Sequence, residues 1–567
     1  MKFIWIIVYF FLLWSCETST SSFISVNLVG YNADYPKQAF LVNAKANTFE
    51  IVNSENNEVV YENGIAPLKQ PDEATGDSIS VIEFTDFSTP GSYFIRVKDS
   101  PQIHSLTFKI DDDVYKNVTN TILQSYYYHR CGTKVDNGEE WSYEVCHLDD
   151  APFYGHPEIS GDFTGGWHDA GDYNKFSINT ALSAGLLLYL YELDSGTFQD
   201  GDLNIPEKNN GTPDLLDETR WALEWLLKMQ RQDGAIFHKI SQKKWTGEYL
   251  PHQDPEIRYV FDVSSRATAG FAAVASLGAR FFKHYDREFS SKLFSAALKA
   301  WEYLEENPEQ IPRNGFKNPP DVRGGEYSDP DDRDERLWAS IELYKLTRHQ
   351  KFLDYFVDTY REMRSGDLPV LSWKNFHSLA FSSFLNNTSE QHLSLKREIS
   401  TLYLTNADYL LEIQQANNYL NLLSINEYYW GSNSVGLAYA FDLIQAYKIT
   451  NMGKYYDAAL HQYHYVLGRN PFNMSQVTAV GSRFSEKPYH QLSEMGDFGK
   501  PIPGMLVGGP NNHLHLNDEV ISPFPGKNYE DRFKNYLVNE TAINYTAILA
   551  YVSGYFSFDS DTIVSGD

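Results

Sequence analysis

The chain has 567 residues, a formal net charge of −28 and a sequence isoelectric point near 4.9. So strong an excess of acid excludes a partner held through its phosphates, and neither nucleic acid nor an anionic bilayer surface is expected. The length exceeds what one small core fills, so two domains are expected. Aromatic residues make up 15% of the chain, with 39 Tyr, 35 Phe and 11 Trp. Flat rings serve a core, and they also cover the apolar faces of sugars.

Residues 1–16, MKFIWIIVYFFLLWSC, set a basic residue before a short apolar run and then Ser15 and Cys16. This is the pattern of an export segment. It resembles a bacterial lipoprotein signal with Leu13-Trp14-Ser15-Cys16 as the lipobox. That resemblance implies lipidation of Cys16 and an exported protein anchored at the outer membrane, touching the bilayer only through its lipid. Residues 17–22 form a polar linker. Residues 23–111 read as short strands, with Ile24, Val26 and Leu28 alternating with polar neighbours and turn signals such as Pro90-Gly91 between runs. The expectation is a small all-β immunoglobulin-like sandwich without catalytic residues, buttressing the larger domain C-terminal to it.

From 112 to 560 the texture becomes helical. Apolar residues recur at three- and four-residue steps over 177–193, 213–230, 264–285, 336–346, 393–413, 434–449, 455–467 and 540–555. Many helices without intervening strands and without a fixed-period repeat fit an all-α barrel better than a solenoid.

The stretch with the densest chemistry is GDFTGGWHDAGDYNKF, residues 161–176. Asp169 and Asp172, with two residues between them, are forced close, and paired carboxylates need a proton, a metal or a water to orient. Far along the chain, Asn539-Glu540 opens the apolar run NETAINYTAILAYVSGYF. The DAGD stretch and the NExAIxY stretch resemble the two active-site motifs of glycoside hydrolase family 9, the cellulase family with an (α/α)6 barrel. The opening ISVNLVGYNADYPKQAF resembles the module that precedes many of its catalytic domains. The resemblance implies an inverting hydrolase with Glu540 as general acid, Asp172 as general base and Asp169 helping to hold the attacking water. Inversion calls for carboxyls about 6.5–9.5 Å apart, with the acid in the more apolar setting.

Cys131 and the adjacent pair Cys146-His147 admit two readings. One is a disulfide, the default in an exported protein. The other is tetrahedral zinc completed by His168. The set resembles the structural zinc site of family members that carry the N-terminal module, which implies zinc bracing the loop of Asp169 and Asp172. Two oxygen-rich segments are candidates for calcium: Glu207, Asn210, Asp214 and Asp217 in IPEKNNGTPDLLDE, and Asp334 with Glu335 in YSDPDDRDE.

Trp167, Tyr173 and Trp430 are expected to stack on sugar rings. The family's P-H-x-R motif is altered in VTAVGSRFSEKPYHQ, where Tyr489 stands at the histidine, Gln491 at the arginine, and His490 is offset by one. These three are assigned to substrate contact. The expected substrate is a β-1,4-glucan such as cellulose oligomers, mixed-linkage glucan or xyloglucan, cut by a monomer. An exo-acting β-glucosidase or glucosaminidase, or a glycan-binding lipoprotein without turnover, are the alternatives.

Overall fold

A computed structural model describes residues 21–557, apart from Glu139, Asp150, Thr246, 364–365, 388–391, Asp497 and 513–519. The export segment and the lipidation residue Cys16 lie outside the described residues.

The first domain is a two-sheet sandwich. One sheet contains Phe23–Ser25, Gln38–Val42 and Ile79–Glu83. The other orders Gly30–Asn32, Phe108–Asp111, Gly91–Val97, Thr48–Asn53 and Val59–Gly64, with Ser100–His104 pairing to Gly91–Val97. Tyr31, Ile51, Ile82, Phe84, Ile95 and Phe108 fill the space between the sheets. Alternation along Gly91–Val97 sends Tyr93, Ile95 and Val97 inward, as period-two patterning requires. The sandwich is hydrogen-bonded to the second domain through Leu28, whose N–H donates to Leu467 O at 2.9 Å and whose carbonyl accepts from Ser482 N at 3.2 Å.

The second domain is a double ring of helices. Ser177–Leu193, Ser265–Phe282, Arg333–Thr347, His377–Asn386, Ser432–Thr450 and Ile543–Ser557 line the inside. Val114–Ser125, Asp214–Lys228, Arg287–Glu306, Gln350–Met363, Leu393–Ala416 and Gly453–Val466 wrap the outside. Inner helices are buried nearly all round: from Ser177 to Tyr191 every residue is buried. Outer helices bury one stripe, as in Gln350–Met363, where Phe352, Leu353, Phe356, Val357 and Tyr360 face inward. This is the (α/α)6 barrel.

Two expectations need correction. The loops between helices are not strand-free: Lys175–Phe176, Lys239–Ser241, Tyr259–Val260, Pro152–Phe153 and His156–Ser160 form a small sheet beside the DAGD stretch. Glu540 does not sit in a helix's first turn. It is extended (φ −69°, ψ 137°), between the short helix Tyr536–Asn539 and the start of the last helix at Ile543.

Candidate active site

Three loops meet at one end of the barrel. The DAGD loop and the segment before the last helix are joined directly: Ala170 bridges Ala542, and Ile543 N–H donates to Asp169 O at 2.9 Å. The third, residues 485–491, bridges to both. Tyr489 N–H donates to Asn539 O and Gln491 N–H to Gly171 O, each at 2.9 Å. Gly171 is required by this closeness, because a Cβ there would lie 2.4 Å from the Tyr489 ring. Asn539 is fully buried and accepts from the Tyr529 hydroxyl at 2.6 Å, which fixes the backbone of its neighbour Glu540.

The three carboxyls sit in distinct settings. Asp169 is buried and accepts both contacts of the Asn179 amide at 2.9 and 3.1 Å, plus the Tyr327 hydroxyl at 3.1 Å. Burial pushes it up to about 7, against the pull of Asn179. Asp172 keeps a face open to the cleft and accepts from Asn174 N–H at 2.9 Å and the Asn174 amide at 2.8 Å. Desolvation raises it above the usual carboxylate range, while Asn174, Arg258 and Lys239 hold it down. Glu540 is also half-open. Desolvation, then the negative charges of Asp172 and Asp169, carry it well above the ordinary range, with Gly171 N–H and the Trp430 indole as its opposing donors. Desolvation thus raises both carboxyls, Glu540 the more strongly, and of the two only Asp172 is opposed by nearby cations.

Along the acid side runs a row of rings. Trp430 lies 5.6 Å from Tyr536, Tyr536 lies 5.7 Å from Tyr489, and Tyr489 stacks on Phe533 at 5.3 Å and 26°. Trp430 and Tyr536 are 41% and 46% exposed, a large apolar surface to leave in water beside two carboxyls.

Other expected substrate contacts are corrected. Trp167 is fully buried, its indole donating to Glu218 at 2.8 Å and its ring against Tyr126. Tyr173 is buried behind the base, donating its hydroxyl to Tyr249 O at 2.6 Å. His490 is buried against His129 and caps the short helix Gln491–Met495 by accepting from Ser493 N–H. Gln491 is buried beneath Gly171. The chain direction explains Tyr173 and His490. Tyr489 and Asp172 face the cleft, so the residues flanking them turn inward.

Cys131 and Cys146 are free thiols, so no disulfide joins them. Their sulfurs and one nitrogen each of His147 and His168 all lie within 4.8 Å of one another, the only such convergence of Cys, His, Asp or Glu among the described residues. The separations of 3.8 Å from Cys131 Sγ to His147 Nδ1 and 4.0 Å from Cys146 Sγ to His168 Nε2 approach the edges, about 3.5–3.8 Å, of a tetrahedron with zinc bond lengths. Burial opposes ionisation of Cys131, yet the Cys146 thiol and the Arg258 guanidinium bring it well below the usual thiol range. The calcium candidates do not gather in this way. Glu207 is engaged by Arg130 at 2.9 Å, Asn210 donates to Asp217 at 3.0 Å, and Asp214 accepts from Gly201 and Leu203 N–H. Asp334 accepts from Phe376 N–H at 2.7 Å, and Glu335 pairs with Arg266 at 2.6 Å. Arginines, an amide and backbone N–H groups thus occupy some of these oxygens, while Asp214 Oδ1 and Glu335 Oε2 are buried without a hydrogen-bond partner.

Sequence reasoning missed Asn179, Tyr327 and Tyr536. Asn179 is a buried amide in an otherwise apolar inner helix, which was a legible signal. Tyr536 lies one helical turn before Glu540. Tyr327, at φ +44°, takes its place only through tertiary contacts such as Arg266 donating to its carbonyl at 2.7 Å.

Comparison with known proteins agrees with this geometry. A model described as glycosyl hydrolase family 9 matches residues 115–553, and one described as the cellulase N-terminal ig-like domain matches residues 19–102. Endoglucanase D of Acetivibrio thermocellus is 31% identical over 96% of this chain and 85% of its own. A xyloglucan-specific endo-β-1,4-glucanase of Bacteroides ovatus is 30% identical over 94% of each. The crystal structure of a metagenome-derived glycoside hydrolase family 9 endoglucanase superposes with a TM-score of 0.88 at 34% identity, covering 94% of this chain and 99% of that one.

Proposed function

Because the chain belongs to glycosyl hydrolase family 9, we propose that it is an inverting endo-β-1,4-glucanase in which Glu540 is the general acid and Asp172 the general base. The observation that carries this reading is the direct joining of the two loops: Ala170 bridges Ala542 and Ile543 N–H donates to Asp169 O at 2.9 Å, so the loop of the base lies against the segment of the acid. A glucan chain lying on the Trp430–Tyr536–Tyr489 row places a glycosidic oxygen at Glu540. The acid gives its proton to that oxygen as the C–O bond breaks. Asp172 takes a proton from a water that attacks the anomeric carbon from the opposite face, so the configuration inverts. Asp169, buried and tied to Asn179 and Tyr327, orients that water and holds the loop.

Xyloglucan, mixed-linkage glucan and cellulose oligomers are the substrates proposed, the first supported by the Bacteroides ovatus relative. A screen of these polymers with chromatography of early products tests the reading. Mixed oligomers and an early fall in viscosity support it. Monosaccharide from the first minute would make the enzyme exo-acting, and no release from any β-glucan would remove the hydrolase reading.

Cys131, Cys146, His147 and His168 would hold zinc, which supplies a structural tie and no chemistry to the reaction. Metal analysis returning about one equivalent supports this, and less than half an equivalent counts against it. The protein is further proposed to be an exported monomer tethered to the outer membrane by lipid on Cys16. The support for the tether is residues 13–16. Mass spectrometry of the mature N-terminus and light scattering of the Cys16→Ser protein test these two points.

A further inference from the structure

The metal centre and the catalytic base are joined by a continuous line of polar contacts. His147 turns Nδ1 towards Cys131 and Nε2 outward, 3.5 Å from Asp254 Oδ2. Asp254 Oδ2 accepts from the Gln242 side-chain amide at 2.5 Å. Gln242 N–H donates to Asn174 Oδ1 at 3.0 Å, and Asn174 Nδ2 donates to Asp172 Oδ2 at 2.8 Å. The orientation of the Asn174 amide is fixed by its two partners, since only one way round does its oxygen face a donor and its nitrogen a carboxylate. A second strap runs in parallel. Arg258, buried, donates one nitrogen to Cys131 Sγ at 3.1 Å and another to the carbonyl of Tyr173, the residue after the base.

We propose that Asn174 is a positioning residue that fixes the Asp172 carboxylate, and that Gln242 and Asp254 link it to the Cys131–Cys146–His147–His168 centre, so that metal occupancy sets the aim of the base. The second half rests on the zinc reading above; the first does not. Outer carboxylates that orient a metal-bound histidine are common. Here the same carboxylate also faces the active site through one glutamine and one asparagine. The strip that carries the line is short and stiff. Lys175–Phe176 pairs antiparallel with Lys239–Ser241, which places Asn174 and Gln242 at the end of the same ladder. The step from Gln242 to Asn174 and Asp172 is thus held by the sheet, and Asp254 joins it to His147 through a 3.5 Å contact. Asp172 also faces Lys239, Arg258, Tyr489 and Glu540, so its titration reports on all of them. Among these, Asn174 follows burial as the strongest influence and favours the ionised form.

The test compares Asn174→Ala and Asn174→Asp in the full protein. The expected result is a fall in kcat of roughly 10- to 100-fold with KM within about twofold, since orientation of a reacting group and not binding is lost. The acidic limb of the pH profile should move to higher pH. Asn174→Asp keeps the shape and puts an acceptor where a donor was, so it should be no better than alanine. Unchanged kcat and an unmoved acidic limb would overturn the proposal.

The link to the metal is read by amide hydrogen exchange at Gln242 and by a double cycle. Stripping zinc by chelation from folded wild-type protein should speed exchange at Gln242 and lower kcat. In Asn174→Ala the same treatment should cost less than in the wild type, because one of the two straps is already cut. Independent, multiplying losses, or unaltered exchange at Gln242, would overturn the link. A protein found to bind no zinc would overturn the zinc reading and the link together, while the Asn174 variants would still decide the role of that residue.

Discussion

The two sides of the cleft are built by opposite means. On the base side, Asp172 sits among amides and charges, caught by Asn174 from two directions and backed by Arg258 and a buried cluster of sulfur and imidazole. On the acid side, Glu540 lies beside a row of rings and is held mainly through its backbone, with Gly508 N–H donating to its carbonyl at 2.8 Å and Tyr489 bridging it. A carboxyl surrounded by donors gives up its proton early, and one beside rings and other negative charges keeps it late. This difference in surroundings is what supports the proposed roles, Glu540 as acid and Asp172 as base.

Removing either carboxyl tests that contrast most heavily. Glu540→Gln and Asp172→Asn are each expected to lower kcat by about 10³-fold or more while the melting temperature stays put. Near-normal turnover in either would break the assignment. Cutting the base side's brace comes next. Cys131→Ser is expected to lose zinc, to melt earlier, and to lose activity by roughly tenfold or more as the loop slackens. Full activity without metal would reduce the centre to an ornament of the fold.

On the acid side, Trp430→Ala should cost about tenfold in kcat/KM through lost ring contact. It also carries a sign. The indole donates to Glu540 and favours its ionised form, so its loss raises the carboxyl further and moves the alkaline limb of activity to higher pH. An alkaline limb shifted downwards would mean that Trp430 does not touch the acid. The smallest effect is expected at Trp167, which sequence reasoning placed in the cleft. Trp167→Phe strips a donor from buried Glu218 and should cost about 1–3 kcal/mol of stability with KM unchanged. A raised KM would return Trp167 to the substrate.

Which features are legible in the sequence depends on which interactions are local. The helix Ser177–Leu193 was legible to the residue because apolar residues recur at three- and four-residue steps along its whole length. Arg287–Glu306 and Gln350–Met363 escaped notice, because an outer helix buries a single stripe and shows charge elsewhere. The closeness of Asp169 to Asp172 was legible from their spacing, and the convergence of Cys131, Cys146, His147 and His168 from the resemblance to the family. Tyr173 and His490 were misplaced because a neighbour of a functional residue in an extended loop points away from it, and that alternation is invisible until the strand direction is known. The calcium candidates read less clearly for another reason. Acidic residues at helix starts, such as Asp214, Asp334 and Glu335, are drawn there by backbone N–H groups and buried arginines, which leave the same trace in sequence as a cation would.

The central claim is that a protonated Glu540 and an ionised Asp172 act on opposite faces of one glycosidic bond. Proton NMR of the first products released from a soluble β-glucan, recorded before mutarotation, tests it directly. The account requires the new reducing end to appear as the α-anomer. Initial release of the β-anomer would mean retention through a covalent intermediate, and would contradict it.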